Sequence, residues 1–118
     1  MRIQGLYAAI ACRDIERAEE FYTALFDRGP DDRPMANLIQ WRDIASANVQ
    51  VFRHEQNAGS SMCTIVVPDM EEAKAALAEA GIELLEIRQG DYGKIAHVDD
   101  PDGNRLTIAE PPSKPGAG

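Results

Sequence analysis

Few residues in this chain of 118 could do chemistry, and they are scattered. His97 stands among Ala96, Val98 and Asp99, where an imidazole can act as a general base or pack against a neighbouring carboxylate; the spacing fixes no second catalytic partner for it. His54 ends an apolar run beside a polar linker and reads as solvated. Trp41, the single tryptophan, has two readings. It could stack on a flat or cationic ligand, since a desolvated cation over an indole face gains about 2 kcal/mol, or it could be a core or interface aromatic. The Tyr7 phenol could bind or protonate a ligand, or satisfy a backbone carbonyl. Arg105 could meet an anionic ligand or pair with a surface acid. Cys12 and Cys63 read as small buried hydrophobes rather than nucleophiles or a bridge.

The elements that must position these groups come in two copies. Ile10 to Ala18 returns as Ile65 to Ala73, with Asp14 matched by Asp69, 55 residues on. Each copy reads as an apolar strand, an aspartate able to cap a helix, and an amphipathic helix. In the first, a strand over 3–12 precedes a helix whose stripe is Ile15, Ala18, Tyr22, Leu25 and Phe26; Gly29 and Pro30 end it. A polar loop over 31–34 then leads to strands over 35–42 and 48–54, joined by a longer turn at 43–47. Residues 55–60 read as an exposed, mobile linker and as the boundary between the copies.

The second copy reads as a strand over 61–67 and a helix over 69–80, with Asp69 and Glu72 forming a capping box and Gly81 a left-handed stop. Strands over 82–87, 94–98 and 105–109 follow. Asp91 and Tyr92 fall in a loop that reads as a hairpin connection, with a lid as the functional alternative. Asp100-Pro101-Asp102-Gly103-Asn104 reads as a tight turn. From residue 112 the Pro- and Gly-rich tail reads as disordered.

Bulk properties narrow the function classes. Twelve basic against 20 acidic residues give a net charge of −8 with no basic cluster, which argues against nucleic acid. No run approaches the roughly 20 apolar residues of a membrane span, and no secretory signal is evident at the start, so a cytoplasmic location is expected. One domain over 1–111 can bury a real core without staples.

The repeated order of strand, helix and three strands, the Asp-led helices with Phe21-Tyr22 at the first one's centre, and the closing Asp-Pro-Asp-Gly-Asn together resemble the vicinal oxygen chelate superfamily. This group includes glyoxalase I, fosfomycin and bleomycin resistance proteins and extradiol dioxygenases. The resemblance covers about residues 1–111 and implies an α+β fold: two βαβββ modules forming paired half-barrel sheets, with helices on the outer face and a groove inside. Metal-dependent members carry four ligands there. Their positions correspond here to Tyr7, Gln50, Met62 and Thr107, which include no carboxylate and no imidazole. Such a set does not suit a divalent first-row cation. Strand parity then puts Tyr7, Ala9, Ala11, Met62, Thr64, Val66, Arg105, Thr107 and Ala109 on the groove faces, and both cysteines on the helix side.

The resemblance therefore implies a metal-free binder of small molecules, closer to the bleomycin-resistance type than to glyoxalase, with no cofactor. Tyr7, Trp41 and Met62 would give apolar contact, and Gln50, Arg105 and Thr107 polar registration. Such chains resemble homodimers whose groove is completed across the interface. The alternatives are a metal-dependent lyase, isomerase or dioxygenase with unorthodox ligands such as Gln50 and His97, and an interaction module whose groove is filled by side chains.

Overall fold

Asp14 and Asp69 start the two helices. In the computed structural model, which describes residues 1–91 and 93–112, both aspartates are extended and their carboxylates accept N–H groups of the first turn. Asp14 takes those of Glu16 and Arg17 at 3.0 and 3.2 Å, and Asp69 takes that of Glu72 at 3.0 Å. Donors without an intrahelical partner are satisfied in this way. Helix α1 spans Ile15–Phe26 and α2 spans Met70–Glu79. Only half of the expected capping box forms, because the exposed Glu72 carboxylate returns no bond to Asp69 among the described residues. Gly81, at φ 79°, stops α2: its N–H and that of Ile82 bond the Ala78 and Leu77 carbonyls at 3.0 and 2.8 Å, a Schellman closure. α1 ends before Gly29, on Asp27 in the left-handed region at φ 56°.

The strands are β1 (Ala8–Cys12), β2 (Asp32–Met35), β3 (Leu38–Ile44), β4 (Ala47–Arg53), β5 (Met62–Val66), β6 (Leu85–Gly90), β7 (Gly93–Asp99) and β8 (Arg105–Glu110). Strand, helix and three strands thus occur twice, giving an α+β fold of two βαβββ modules. Each module makes a four-stranded mixed sheet, ordered β1-β4-β3-β2 and β5-β8-β7-β6. The β1–β4 and β5–β8 pairs are parallel and the others antiparallel.

The chain divides into two compact units. The first holds Met1–Ser61 together with Asp100–Asn104, and the second Met62–Asp99 with the residues from Arg105 on. In the first, Ala18 and Tyr22 of α1 are buried with Ile10, Ile39, Trp41 and Val51 of the sheet; in the second, Met70 and Leu77 of α2 are buried with Ala96, Val98, Leu106 and Ile108. No helix among the described residues is long and apolar enough to cross a membrane.

Several boundaries differ from the sequence reading. β1 starts at Ala8, leaving Ile3 and Leu6 exposed. The supposed polar loop over 31–34 contains β2, which pairs with β3 around a turn at Ala36 and Asn37. β3 and β4 close on Ala45 and Ser46, both with positive φ (49° and 73°), a two-residue turn that lacks the usual Asn-Gly signature. β6 begins three residues later than expected because Ile82 and Leu84 are buried before the strand starts. The segment read as a mobile linker is fastened: Ala58 is buried, and the N–H groups of Gly59 and Ser61 donate to Asn104 Oδ1 at 2.9 and 2.8 Å. Tyr92 and the tail from residue 113 lie outside the described residues.

Candidate functional site

Pairing register sorts the side chains of the first unit onto two faces. Ala8, Val49 and Trp41 lie side by side, as do Ala9, Gln50 and Gln40. The first row faces α1. Trp41 is fully buried there, its ring centroid 6.3 Å from that of Tyr22 and 5.5 Å from that of Phe26, while its indole N–H donates to the Arg28 carbonyl at 2.9 Å. Of the two readings of Trp41 the structure supports the core aromatic, which corrects its place among the ligand-contacting residues. The parity that Trp41 shares with Ile39 was the available signal.

The opposite, open face carries Gln50, which accepts from Gln40 Nε2 at 3.4 Å. Tyr7 precedes β1 and is half-buried; its hydroxyl bonds the Arg42 guanidinium, which also donates to Asp32 at 2.8 Å. That Tyr7 bond, ahead of the Asp32 contact, pushes the Arg42 pKa up. Gln40 and Arg42 alternate with Ile39 and Trp41 along β3 and are polar residues of this face that the sequence reading did not select. At its end lies an open cavity of about 390 Å³, lined by Met35, Ala36, Asn37, Leu38, Gln50, Phe52 and Arg53.

In the second unit, Met62 lies beside Arg105 and Thr64 beside Thr107, which is opposite His97. Leu106 and Ile108, on the other parity, are buried, so Met62, Arg105 and Thr107 share the open face. Met62 is 85% exposed. Arg105 Nε donates to Asp99 Oδ1 at 3.2 Å, the surface pairing that was one of its two readings. His97 is buried, with Nδ1 3.7 Å from Glu86 and Nε2 3.9 Å from Asp99. His54 is exposed, and its Nδ1 accepts from the Asn57 N–H at 3.3 Å.

The four positions implied as metal ligands carry phenol, amide, thioether and hydroxyl groups. None brings negative charge or an imidazole, and the phenol is engaged by Arg42. These donors do not fit a catalytic first-row cation. Among the described residues no cluster of three or more His, Cys, Asp or Glu side chains has metal-binding geometry either.

The segment read as a plain turn does more. Asp100 and Asn104 are buried. Asp100 Oδ2 accepts from Tyr22 Oη at 2.7 Å and Asn104 Nδ2 at 2.8 Å; Oδ1 accepts from the Asp102 and Asn104 N–H groups, both at 2.9 Å. Asn104 Nδ2 also donates to the Ala11 carbonyl at 2.8 Å, and Asp102 pairs with Arg13 at 3.2 Å. Cys12, fully buried nearby, has its pKa pushed up to about 11, first by burial and then by Asp102, Asp100 and Asp14. Burial also raises the Cys63 pKa. Thiols held protonated are poor nucleophiles, as expected of both cysteines.

Comparison with known proteins places this geometry. The profile of a family described as glyoxalase-like domain matches residues 7–109. No curated protein matches the sequence. Among solved structures, a glyoxalase / bleomycin resistance protein from Catenulispora acidiphila is similar with a TM-score of 0.82 at 24% identity, over 92% of this chain and 98% of that one. A bleomycin-binding protein from Streptomyces verticillus, complexed with copper(II)-bleomycin, is similar at 0.73 and 16% identity, over 95% and 99%. A lactoylglutathione lyase from Agrobacterium tumefaciens is similar at 0.74 and 16% identity, over 93% and 96%. At these identities the likeness is one of fold.

Proposed function

The chain belongs to the glyoxalase-like domain family, and on that premise we propose that it binds a small organic molecule without the help of a metal ion. The donor set carries this reading. Where metal-dependent relatives would hold their ion, Tyr7, Gln50, Met62 and Thr107 offer neutral groups suited to hydrogen bonding and van der Waals contact. The open cavity beside Gln50 supports it, because Met35, Leu38 and Phe52 supply apolar walls and Arg53 and Asn37 polar ones, the usual make-up of a ligand pocket. That one protein of the same fold holds copper(II)-bleomycin supports an organic cargo here as well. In this reading Tyr7 and Phe52 give apolar contact and Gln50 polar registration on the open face of the first unit, and Met62 gives apolar contact and Thr107 and Arg105 polar registration on that of the second. Trp41 has no part in it.

Two measurements test the proposal. Elemental analysis of protein purified without chelators should show no stoichiometric Zn, Ni, Mn, Fe or Co; a bound ion at one per chain overturns the metal-free reading. A thermal-shift screen of small organic compounds should find stabilising ligands, since a compound at a hundred times its Kd adds about 2.7 kcal/mol. A screen without any such compound favours a face filled by protein instead. A homodimer belongs to the same proposal, supported by the exposure of Met62, Val66 and Ile95. Light scattering at micromolar protein should give twice the chain mass, and the monomer mass contradicts it.

A further inference from the structure

Gln40 on β3 and Gln50 on β4 stand directly opposite one another on the open face of the first unit, and both are half-buried. Their side chains share one long hydrogen bond, from Gln40 Nε2 to Gln50 Oε1 at 3.4 Å, and make no other among the described residues. No buried side-chain nitrogen or oxygen lacks a partner among those residues, so the atoms this pair leaves over are open to solvent.

Amide chemistry fixes what is left over. Each carboxamide carries two N–H donors and one acceptor oxygen. When one amide donates to the other, the pair keeps an unused NH₂ group on one residue and an unused carbonyl oxygen on the other; exchanging the two roles leaves the same pair of groups. A donor and an acceptor therefore stand side by side, on Cβ atoms about 5 Å apart. The edge that answers both is an acceptor next to a donor, as in a primary amide or a lactam. An ester or carboxylate answers with acceptors alone, and an ammonium with donors alone.

The neighbours leave this edge accessible. Ala9, beside Gln50 on β1, is exposed and contributes only a methyl group. Asp32, beside Gln40 on β2, spends its carboxylate on the Arg42 guanidinium and the Arg33 N–H, both at 2.8 Å, and bonds neither glutamine. Gln50 also lines the open cavity of about 390 Å³. Two residues along β4, about 7 Å away, Phe52 joins Leu38 and Met35 in the apolar wall of that cavity. An aromatic ring seated there brings a substituent on a single methylene to the glutamine pair, and the volume suits a small organic molecule.

We infer that the open face of the first unit selects compounds in which an aromatic ring carries an uncharged amide edge, the ring lying against Phe52, Leu38 and Met35 and the amide closing a hydrogen-bonded array with Gln40 and Gln50. Gln40 is then a specificity-determining residue beside Gln50. This rests on the small-molecule reading and names the class of ligand for one of its faces.

The test follows backbone and side-chain amide NMR signals of the full chain during titration with 2-phenylacetamide, methyl phenylacetate and 2-phenylethylamine. The three share a ring and offer both groups, an acceptor alone, or donors alone. Phenylacetamide should shift the Gln40 and Gln50 side-chain signals and residues 35–38 and 50–53 saturably, and bind about tenfold more tightly than either other probe. Gln50→Glu strips the pair of its unused donor, so it should weaken phenylacetamide about tenfold and turn the preference toward the amine. Gln40→Glu should do the same, because either amide can take the donating role, and the spectrum of each free variant reports that it is folded. Equal affinity for the three probes, shifts that spare both glutamine side chains, or an unchanged order of probes in both variants overturns the inference. If none of the three binds while other compounds of the thermal-shift screen stabilise the protein, the inference fails and the small-molecule reading stands. If no organic compound binds anywhere, both fail.

Discussion

Tyr22 and Asp100 stand 78 positions apart and meet in a buried hydrogen bond of 2.7 Å, phenol to carboxylate. The bond fastens the β7–β8 turn to the middle of α1, and the same carboxylate takes three further donors from within the turn. Bonds to a charged acceptor contribute about 1.5–3 kcal/mol each. Tyr22→Phe should therefore lower the unfolding free energy by about 2 kcal/mol in urea titration. Asn104→Ala should cost more, about 3 kcal/mol or above, because it also strands the buried Ala11 carbonyl and the N–H groups of Gly59 and Ser61. Equal, small losses for the two would contradict this ranking.

Cys12 gives a pH signature. Its folded pKa of about 11 lies above the ordinary thiol value of 9.0, so the folded chain holds this proton more tightly than the unfolded one. Stability from this group is complete below the unfolded pKa and is lost as pH rises through the folded value, between about 9 and 11. Cys12→Ala should flatten that alkaline decline in thermal melts. At pH 8 the native thiol should react with an aromatic disulfide only as fast as the chain unfolds; rapid native labelling would disprove the assignment.

Gly93 and Gly81 both have positive φ but should tolerate a methyl group very differently. A Cβ on Gly93, at φ 99°, would overlap the Glu110 carbonyl oxygen and crowd Pro111, whereas one on Gly81, at φ 79°, meets nothing within 4 Å. Gly81→Ala should cost only the left-handed penalty of about 1–2 kcal/mol. Gly93→Ala adds backbone displacement and should cost at least about 3 kcal/mol. Chemical denaturation of the two variants decides the order.

Glu86 should be replaceable without loss of stability. Asparagine occupies the left-handed region more readily than glutamate, so Glu86→Asn should unfold at the same denaturant concentration or a higher one, with a gain of up to about 1 kcal/mol. A loss above that size would mean that the carboxylate is holding the fold together.

Trp41 should report on the core and nothing else. Its buried indole should emit to the blue and resist iodide quenching, and compounds that bind the open faces should leave its emission unchanged. A ligand that quenches Trp41 directly would reopen its role.

Much of this architecture was legible in the residues. Asp14, Asp69 and Gly81 act through local chemistry and follow from the amino-acid order alone, as do the 55-residue echo from Asp14 to Asp69 and the burial of Cys12; Cys63, expected to be buried as well, is only half-buried. β2 was hidden because Asp32, Arg33 and Pro34 look like a loop, and only pairing with β3 makes them a strand. The Ala45–Ser46 turn was hidden because neither residue signals positive φ. Asp100 and Asn104 were visible as a turn, but their partners lie 78 and 93 positions away, and no local pattern discloses such contacts. Glu86 was invisible for a related reason: its approach to His97 depends on a register break, which alternation alone does not foresee.

The membership of Asp100–Asn104 in the first unit bears on how the molecule comes into being. During synthesis residues 1–61 leave the ribosome before these five, so the Ala11 carbonyl and the Gly59 and Ser61 N–H groups lack their Asn104 bonds until residue 104 has emerged. Duplication made two alike halves, but loaning a loop from the later half to the earlier one has made them inseparable: sever the chain after Ser61 and the amino-terminal piece lacks its own keystone.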